Sequence, residues 1–543
     1  MALAFLLLGL GLFIIYKVIK CYALPPLILA GPPSASMITG NLGQIFSAGG
    51  MKYHGRFLEE YGRIFQIHGL LGDVQIFTSD CAAISAILNN AETFTHTEEY
   101  ENIAHLILGP GLIGAKGPQH KRLRKMLNPI FSTSNIRELT GSFRGIANKL
   151  RDRLAGQLEN DSPTKINVLD WLSRAALDLI GVGGAGYDFH AIDEEESNYT
   201  KAAKDLLPTL TSISAITLLI PYLPPSLSFR RRLLHWLPWP ALRKFLDIID
   251  TMDMTAWEVY EVKRRQVLGK EVVDQKEGGG KDVMSLAIAA NERASPDTAL
   301  AHEELVAQMS DLIFAGQDTT SGALCRTLQV LSTRPELQRR LRTEIIEAKQ
   351  AKGLADLDYE TLNSVPLLSA VCQEVLRLYP PVTWFDRTAQ ADTFLPLTSS
   401  LATPSGKHIT SVPISKGTTV IMSVFGVNRD KSIWGEDADE FRPERWVEKE
   451  RDEKRARVPS VWSSLLTFGA GPMACIGVRY AILELKVVLS TLLESFEFAA
   501  TGDKIEWTLS FTMSPHVKGQ DTPGLPLLVR RIETGKLEDQ VIY

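Results

Sequence analysis

An uninterrupted apolar run from Ala2 to Tyr16 opens the chain, and Lys17 and Lys20 follow it. A helix over Ala2–Ile19 would be about 27 Å long at ~1.5 Å per residue, just short of a ~30 Å hydrocarbon core. Lys17 could then snorkel toward the headgroups. A cleaved signal peptide carries its positive charge before the apolar stretch, and Cys21-Tyr22-Ala23 is a poor cleavage site. The pattern therefore predicts an uncleaved anchor over residues 1–20, with both lysines and the body of the protein on the cytosolic side. Pro25, Pro26, Pro32 and Pro33, with Gly31 among them, predict a stiff extended connector over residues 21–36. Ile213–Leu223 comes nearest to a second span, but it is too short and contains Pro221.

Beyond the connector the periodicity changes. Arg63–His68 and Asp73–Thr78 alternate around Gly69 and Gly72, which predicts a β-hairpin. Lys201–Ile216, Leu242–Lys270, Glu303–Thr333 and Glu336–Lys352 carry apolar residues at three- and four-residue spacing, which predicts long helices. Pro208 should kink or break the first of them. Strand signals return around Val412–Ser423 and Ile505–Met513. Gly278–Gly280 reads as a surface loop within one domain. The expected fold class is mostly α with minor β, one large domain over residues 37–543.

Composition narrows the function without naming it. With 45% hydrophobic residues, 22% charged residues and a net charge of -5, the chain is a globular protein without the basic tract that a nucleic-acid partner requires. Arg230–Arg232 and Glu448–Arg455 read as solvated faces. Cys21, Cys81, Cys325, Cys372 and Cys475 form no CxxC pair, which argues against a disulfide framework and for a reducing compartment. Gly181-Val-Gly-Gly-Ala-Gly186 matches the GxGxxG dinucleotide fingerprint. That motif works only between a strand and a helix, however, and Val168–Ile180 before it has helical period. Those glycines are expected to end a helix.

The chemistry gathers near the C-terminus. Phe468-Gly-Ala-Gly471-Pro-Met-Ala-Cys475-Ile-Gly477 precedes a helical run from Val478 to Leu493. A cysteine just before a helix lies where unpaired backbone N–H groups and the helix dipole favour a thiolate. Gly471 and Gly477 would permit a tight loop with close backbone approach to a flat group. Upstream, Ala315-Gly316-Gln-Asp318-Thr319-Thr320 lies inside the longest helical pattern. Glu374-x-x-Arg377 places opposite charges on one helix face, which Tyr379-Pro380-Pro381 ends. Phe441-Arg-Pro-Glu-Arg445-Trp follows.

Phe468, Gly471, Cys475 and Gly477 together match the FxxGxxxCxG signature, and the chain resembles the cytochrome P-450 family over nearly its whole length. Features around Asn428-Arg429-Asp430 and Trp434-Gly435 resemble fungal members. The resemblance implies the P-450 fold and haem b with Cys475 as the axial thiolate, whose electron density favours O–O cleavage. It also implies that Ala315 and Gly316 let a helix pass close over the haem. Asp318 and Thr319 would be the catalytic proton relay, with a local helix distortion there admitting water. Glu374, Arg377 and Arg445 would form a buried structural triad. Arg124 and Arg387 would bind haem propionates. His120 stands where tryptophan is usual, so it is a donor by analogy, and Met473 replaces a usual arginine and cannot donate.

The implied activity is a monooxygenase that inserts one oxygen atom of O₂ into a lipophilic small molecule such as a terpenoid or other secondary metabolite. Electrons would come from NADPH through a separate cytochrome P-450 reductase, with cytochrome b5 as a second possible donor. The location would be the endoplasmic reticulum membrane. The substrate pocket would draw on Thr93–Leu112, Leu206–Leu219, Phe314, Val382–Phe385 and Ser510–Met513. Two rivals remain: a haem-thiolate isomerase or dehydratase that needs no O₂, and a non-catalytic haem-binding membrane protein. An intact relay segment disfavours the first, and consumption of NADPH with a lipophilic substrate would disfavour the second.

Overall fold

The structure, a computed structural model, describes residues 28–158, 162–193, 227–269, 280–448 and 453–532, together with residue 11 and scattered positions between 199 and 213. The expected anchor, most of Lys201–Ile216 and most of Gly278–Gly280 lie outside the described residues. Among those described, no helix is long and apolar enough to cross a membrane. The described part of the proline connector is docked on the body. Leu29 is buried, Gln66 N–H donates to the Ala30 carbonyl at 2.9 Å, and Asn41 Nδ2 donates to the Pro33 carbonyl at 2.9 Å. A Cβ on Gly31 would collide with the Gln66 carbonyl, so this close approach requires glycine.

The predicted hairpin forms as β1 (Ile64–His68) and β2 (Val74–Thr78), paired antiparallel from Ile64↔Thr78 to His68↔Val74. With β3 (Phe94–Thr95), β5 (Trp384–Ala389) and β8 (Thr419–Ser423) they build a sheet ordered β1-β2-β8-β5-β3, parallel only at β2–β8. The remaining strands make small sheets. β4 (Thr164–Asn167) pairs with β12 (Pro526–Arg531) and β12 with β9 (Phe496–Ala500), while β6 (Thr393–Ala402) pairs with β7 (His408–Ile414) and β10 (Ile505–Leu509) with β11 (Met513–Val517). The single strand signal over Val412–Ser423 is thus two strands in different sheets, because Gly417 turns between them with φ +85°.

The helices that position the site are α1 (Glu98–Leu108), α2 (Gly117–Leu127), α3 (Val168–Ile180), α4 (Pro240–Val267), α5 (His302–Ser332), α6 (Pro335–Lys352), α7 (Pro366–Leu378) and α8 (Val478–Ser495). Prolines at the first turn start α2, α4, α6 and α7, where the missing N–H is no loss. Helix α5, about 46 Å long, is buried on most faces and forms the axis of the main core. After α3 the chain makes one wide π turn, Gly181–Ala185, and stops at Gly186 with φ +68°. Side chains at Gly181 and Gly183 would collide with Phe189 and with Tyr480 and Phe143 respectively. The GxGxxG glycines are therefore packing positions that follow a helix, as the periodicity predicts.

Candidate active site

Helix α8 begins at Val478, and Cys475 stands just ahead of its first turn. Cys475 N–H donates to the Phe468 carbonyl at 2.9 Å, closing a loop whose sides are short 3-10 turns at Leu466–Phe468 and Gly471–Met473. Phe468 itself packs edge-on against Trp462, with ring centroids 5.5 Å apart. Gly471 has φ +69°, and a Cβ there would collide with the Leu88 carbonyl. One close approach it allows is therefore to helix Cys81–Asn89. Gly477 leaves the sulfur uncrowded, since a Cβ would lie 3.9 Å from Cys475 Sγ.

The described cysteines divide sharply. Cys81, Cys325 and Cys372 are buried, and Cys475 is exposed. Burial pushes the Cys81 thiol up to about 12 and the Cys372 thiol up to about 11, and it raises Cys325 as well. Burial raises Cys475 on balance as well, but the Gly477 N–H and the Arg124 guanidinium act against it, toward the thiolate. The Cys475 sulfur remains accessible.

Four nitrogen-bearing side chains stand near this loop. Arg124, on α2, donates to the Ala474 carbonyl at 2.9 Å. Arg387, buried on β5, donates to the Asp386 carbonyl at 2.6 Å, contacts His96 Nδ1 at 3.2 Å and reaches Met473 Sδ at 3.7 Å. The pairing Thr95↔Thr388 of β3 with β5 brings His96 to this arginine. His120 is buried on α2. Burial pushes its imidazole down to about 4, with Arg124 and Arg387 adding to the effect, and burial with Arg387 and His120 also lowers His96. Asp386 opposes the lowering of Arg387, yet among the described residues no carboxylate forms an ion pair with Arg124 or Arg387. Two arginines without a carboxylate partner, beside two histidines that burial keeps neutral and whose ring N–H groups can donate, suit an anion, and the carboxylates of a haem fit it. His96 carried no motif in the sequence; its only signal was a lone histidine beside a short strand.

Helix α5 supplies the other wall. Ala315 is exposed between the half-buried Phe314 and Gly316. Gly316 lies close against α3, where a Cβ would come within 2.7 Å of Ile180 Cγ1. The expected helix distortion is absent, and α5 stays α-helical through Thr320. Thr319 Oγ1 donates to the Ala315 carbonyl at 2.7 Å, which occupies its proton and leaves its lone pairs free. Burial pushes the Asp318 carboxyl up to about 6, near the working range of a proton relay. Thr320 turns away and donates to Glu484 Oε2 of α8 at 3.0 Å. Nearer the start of α5, Asp311 accepts from Ile113 N–H at 2.9 Å and ties down the loop after α1. Phe314 meets Phe511 with ring centroids 5.8 Å apart, which joins two of the expected pocket segments.

The expected triad is assembled and wholly buried. Arg377 Nη2 lies 2.8 Å from Glu374 Oε1, and Arg445 Nε lies 2.9 Å from the same oxygen. Trp446 Nε1 donates to Glu374 Oε2 at 2.8 Å and Arg442 N–H to Oε1 at 2.9 Å.

A cysteine at a helix start, an unpaired cationic wall and a long helix with an acid–threonine pair define a haem-thiolate protein. The chain belongs to the cytochrome P450 family, whose model matches residues 30–519. It is 38% identical to cytochrome P450 monooxygenase 91 of Postia placenta over 93% of this chain and 94% of that one. It is also 34% identical to a ganoderic acid synthetase of Ganoderma lucidum over 93% and 94% of the two chains, and 32% identical to a cytochrome P450 monooxygenase of Hericium erinaceus over 91% of each. The protein is therefore a fungal-type cytochrome P450 monooxygenase, an oxidoreductase whose cofactor is haem b with thiolate-ligated iron.

Proposed function

We propose that this chain hydroxylates or otherwise oxygenates a lipophilic small molecule of the terpenoid class, with electrons passed from NADPH by a cytochrome P-450 reductase. The observation that carries the reading is Cys475, an accessible cysteine at a helix start among buried ones. Bound there through Cys475, haem supplies dioxygen activation. Arg124, Arg387, His96 and His120 are the residues that would hold its propionates, by hydrogen bonds to an ionised acceptor. Thr319 and Asp318 hold and pass the protons that oxygen reduction consumes, with Thr319 fixed by Ala315 and Asp318 poised by burial. The apolar side chains Phe314, Phe511 and Met513 favour a lipophilic substrate. A terpenoid is supported by the similarity to the ganoderic acid synthetase.

We further propose that residues 1–20 anchor the protein in the endoplasmic reticulum membrane, with residues 21–36 leading into a cytosolic domain over 37–543. The apolar run over Ala2–Tyr16 supports this, as do the exposed Met37 and Ile38 close behind it. The test is microsomal protein with added reductase, NADPH, isotopically labelled dioxygen and a panel of triterpenoids. One labelled oxygen in the product, lost when reductase is left out, is the expected result. Product that forms without reductase would support the isomerase reading instead.

A further inference from the structure

Helix α5 carries another unpaired cation, beyond the acid–threonine pair. The Arg326 guanidinium is stacked between two rings, 4.2 Å from the Tyr379 centroid and 3.9 Å from that of Trp507. A guanidinium has five N–H donors. Here Nη1 donates to Gln329 Oε1 at 3.1 Å, and Nε is buried without a partner. Among the described residues no carboxylate pairs with Arg326. The charge beside it is Arg429, whose own donors go to Asp439 Oδ1 at 2.8 Å and the Leu378 carbonyl at 2.8 Å. Burial lowers the Arg326 pKa to about 9, with Arg429 acting in the same direction and Tyr379 against it, so the group stays charged at neutral pH.

A second orphan stands on the same wall. Thr383 is 3% exposed, and its Oγ1 is buried without a partner. Both residues line a cavity of about 230 Å³ whose other walls include Tyr379, Phe425, Trp507 and Met513. An unpaired buried charge and an unpaired buried hydroxyl each cost free energy unless a ligand meets them. We propose that this cavity binds the carboxylate of an amphipathic organic acid, with Arg326 donating to one oxygen and Thr383 to the other.

The chemistry selects among anions. One guanidinium and one hydroxyl match a monoanion with two oxygens, and the aromatic walls offer too few donors for a phosphate dianion. The rings cannot cage a cation, because Arg326 already covers two of them. Met513 belongs to the hairpin that reaches Phe314 through Phe511, so the cavity adjoins the proposed substrate wall. The acid is therefore either one end of the substrate or a separate effector. The first case rests on the monooxygenase reading and the second does not.

Octanoate and octan-1-ol serve as probes, titrated into the purified full-length holoenzyme by calorimetry. Octanoate should bind about tenfold tighter or more, as a charge-assisted hydrogen bond predicts. Arg326→Gln should bring the two affinities within about twofold, Arg326→Lys should keep most of the preference, and Thr383→Val should reduce it about threefold. Thr383→Val is nearly isosteric, so it tests the site even if Arg326→Gln fails to fold. Equal binding of the two probes to the native protein overturns the proposal, as does full preference in both Arg326→Gln and Thr383→Val. A shift of the haem Soret band on octanoate binding marks the substrate's acid end, and binding with an unchanged band marks an effector. The carbon-monoxide complex of the same samples tests the monooxygenase reading separately: loss of its red-shifted band with the preference intact sinks that reading and leaves the subsite.

Discussion

Arg377 and Arg387 lie close in the chain, and both are buried, but their surroundings are opposites. Arg377 gives Nε and Nη2 to Glu374 at 2.9 and 2.8 Å, and its other donors go to the carbonyls of Asn428, Ala438 and Glu440. Arg387 has its neighbour's carbonyl, a histidine nitrogen and a thioether. A buried cation is tolerated when it is paired and hydrogen-bonded and is costly when it is not. The first cluster is complete without any ligand, so its work is to hold α7 against the 428–446 segment. The second, with His96, His120 and Arg124, is incomplete, so it marks a site. The described cysteines repeat the contrast, with three buried and one accessible.

The contrast breaks most completely at Cys475. Cys475→Ala should abolish the red-shifted Soret band of the reduced carbon-monoxide complex, while Cys325→Ala and Cys372→Ala keep it. A retained band in Cys475→Ala would remove the ligand assignment. Next in size is the complete cluster. Glu374→Gln leaves two buried arginines short of their anion and should cost about 3–5 kcal/mol, read as a lower urea midpoint and a smaller yield of haem-loaded protein. The pH dependence follows from the Glu374 pKa, which its arginine partners and the Arg442 N–H lower against the opposing effect of burial. Because the folded value lies below the unfolded one, its contribution is present above the unfolded value and fades as pH falls through the folded value. Glu374→Gln should flatten that acid limb.

Thr319→Ala should act at the chemistry without touching the fold. It removes the hydroxyl that bonds Ala315 and should keep haem and substrate binding, but divert reducing equivalents into peroxide or water. The ratio of product to NADPH consumed is expected to fall about tenfold or more, on the scale of general acid–base contributions. An unchanged ratio would place the relay elsewhere.

Legibility in the sequence followed the same contrast. Glu374, Arg377 and Arg445 could be read because a closed cluster demands fixed residue types at fixed spacing, and the Cys475 loop because its turns do. Helix ends were legible to within a few residues where proline starts the first turn, as at Pro335 and Pro240. His96 was not legible, since a lone histidine beside a two-residue strand becomes a donor only through the pairing of β3 with β5. Arg326 and Thr383 were hidden for a like reason: their partners come from segments far apart in the chain. The tight contact of Gly316 with Ile180 was not legible either, because a small residue in a helix does not say which neighbours need the space.

The finest test of the incomplete cluster concerns Met473. Its sulfur lies 3.7 Å from Arg387 Nη2, where the family usually has another arginine. If a propionate occupies this wall, Met473→Arg adds a donor, and the new guanidinium shares its anion with Arg387 instead of repelling it. A charge-assisted hydrogen bond contributes about 1.5–3 kcal/mol, so haem transfer to apomyoglobin should slow about tenfold or more. The same change should soften the effect of Arg124→Ala, because donors that share one acceptor are not additive. The opposite account holds that Met473 fills space against the haem edge, with Arg387 and His96 already satisfying the anion. An arginine would then overpack the Gly471–Met473 turn and crowd Arg387. Faster haem loss in Met473→Arg, with no rescue of Arg124→Ala, would favour that packing account and show that the wall needs fewer donors than the family pattern supplies.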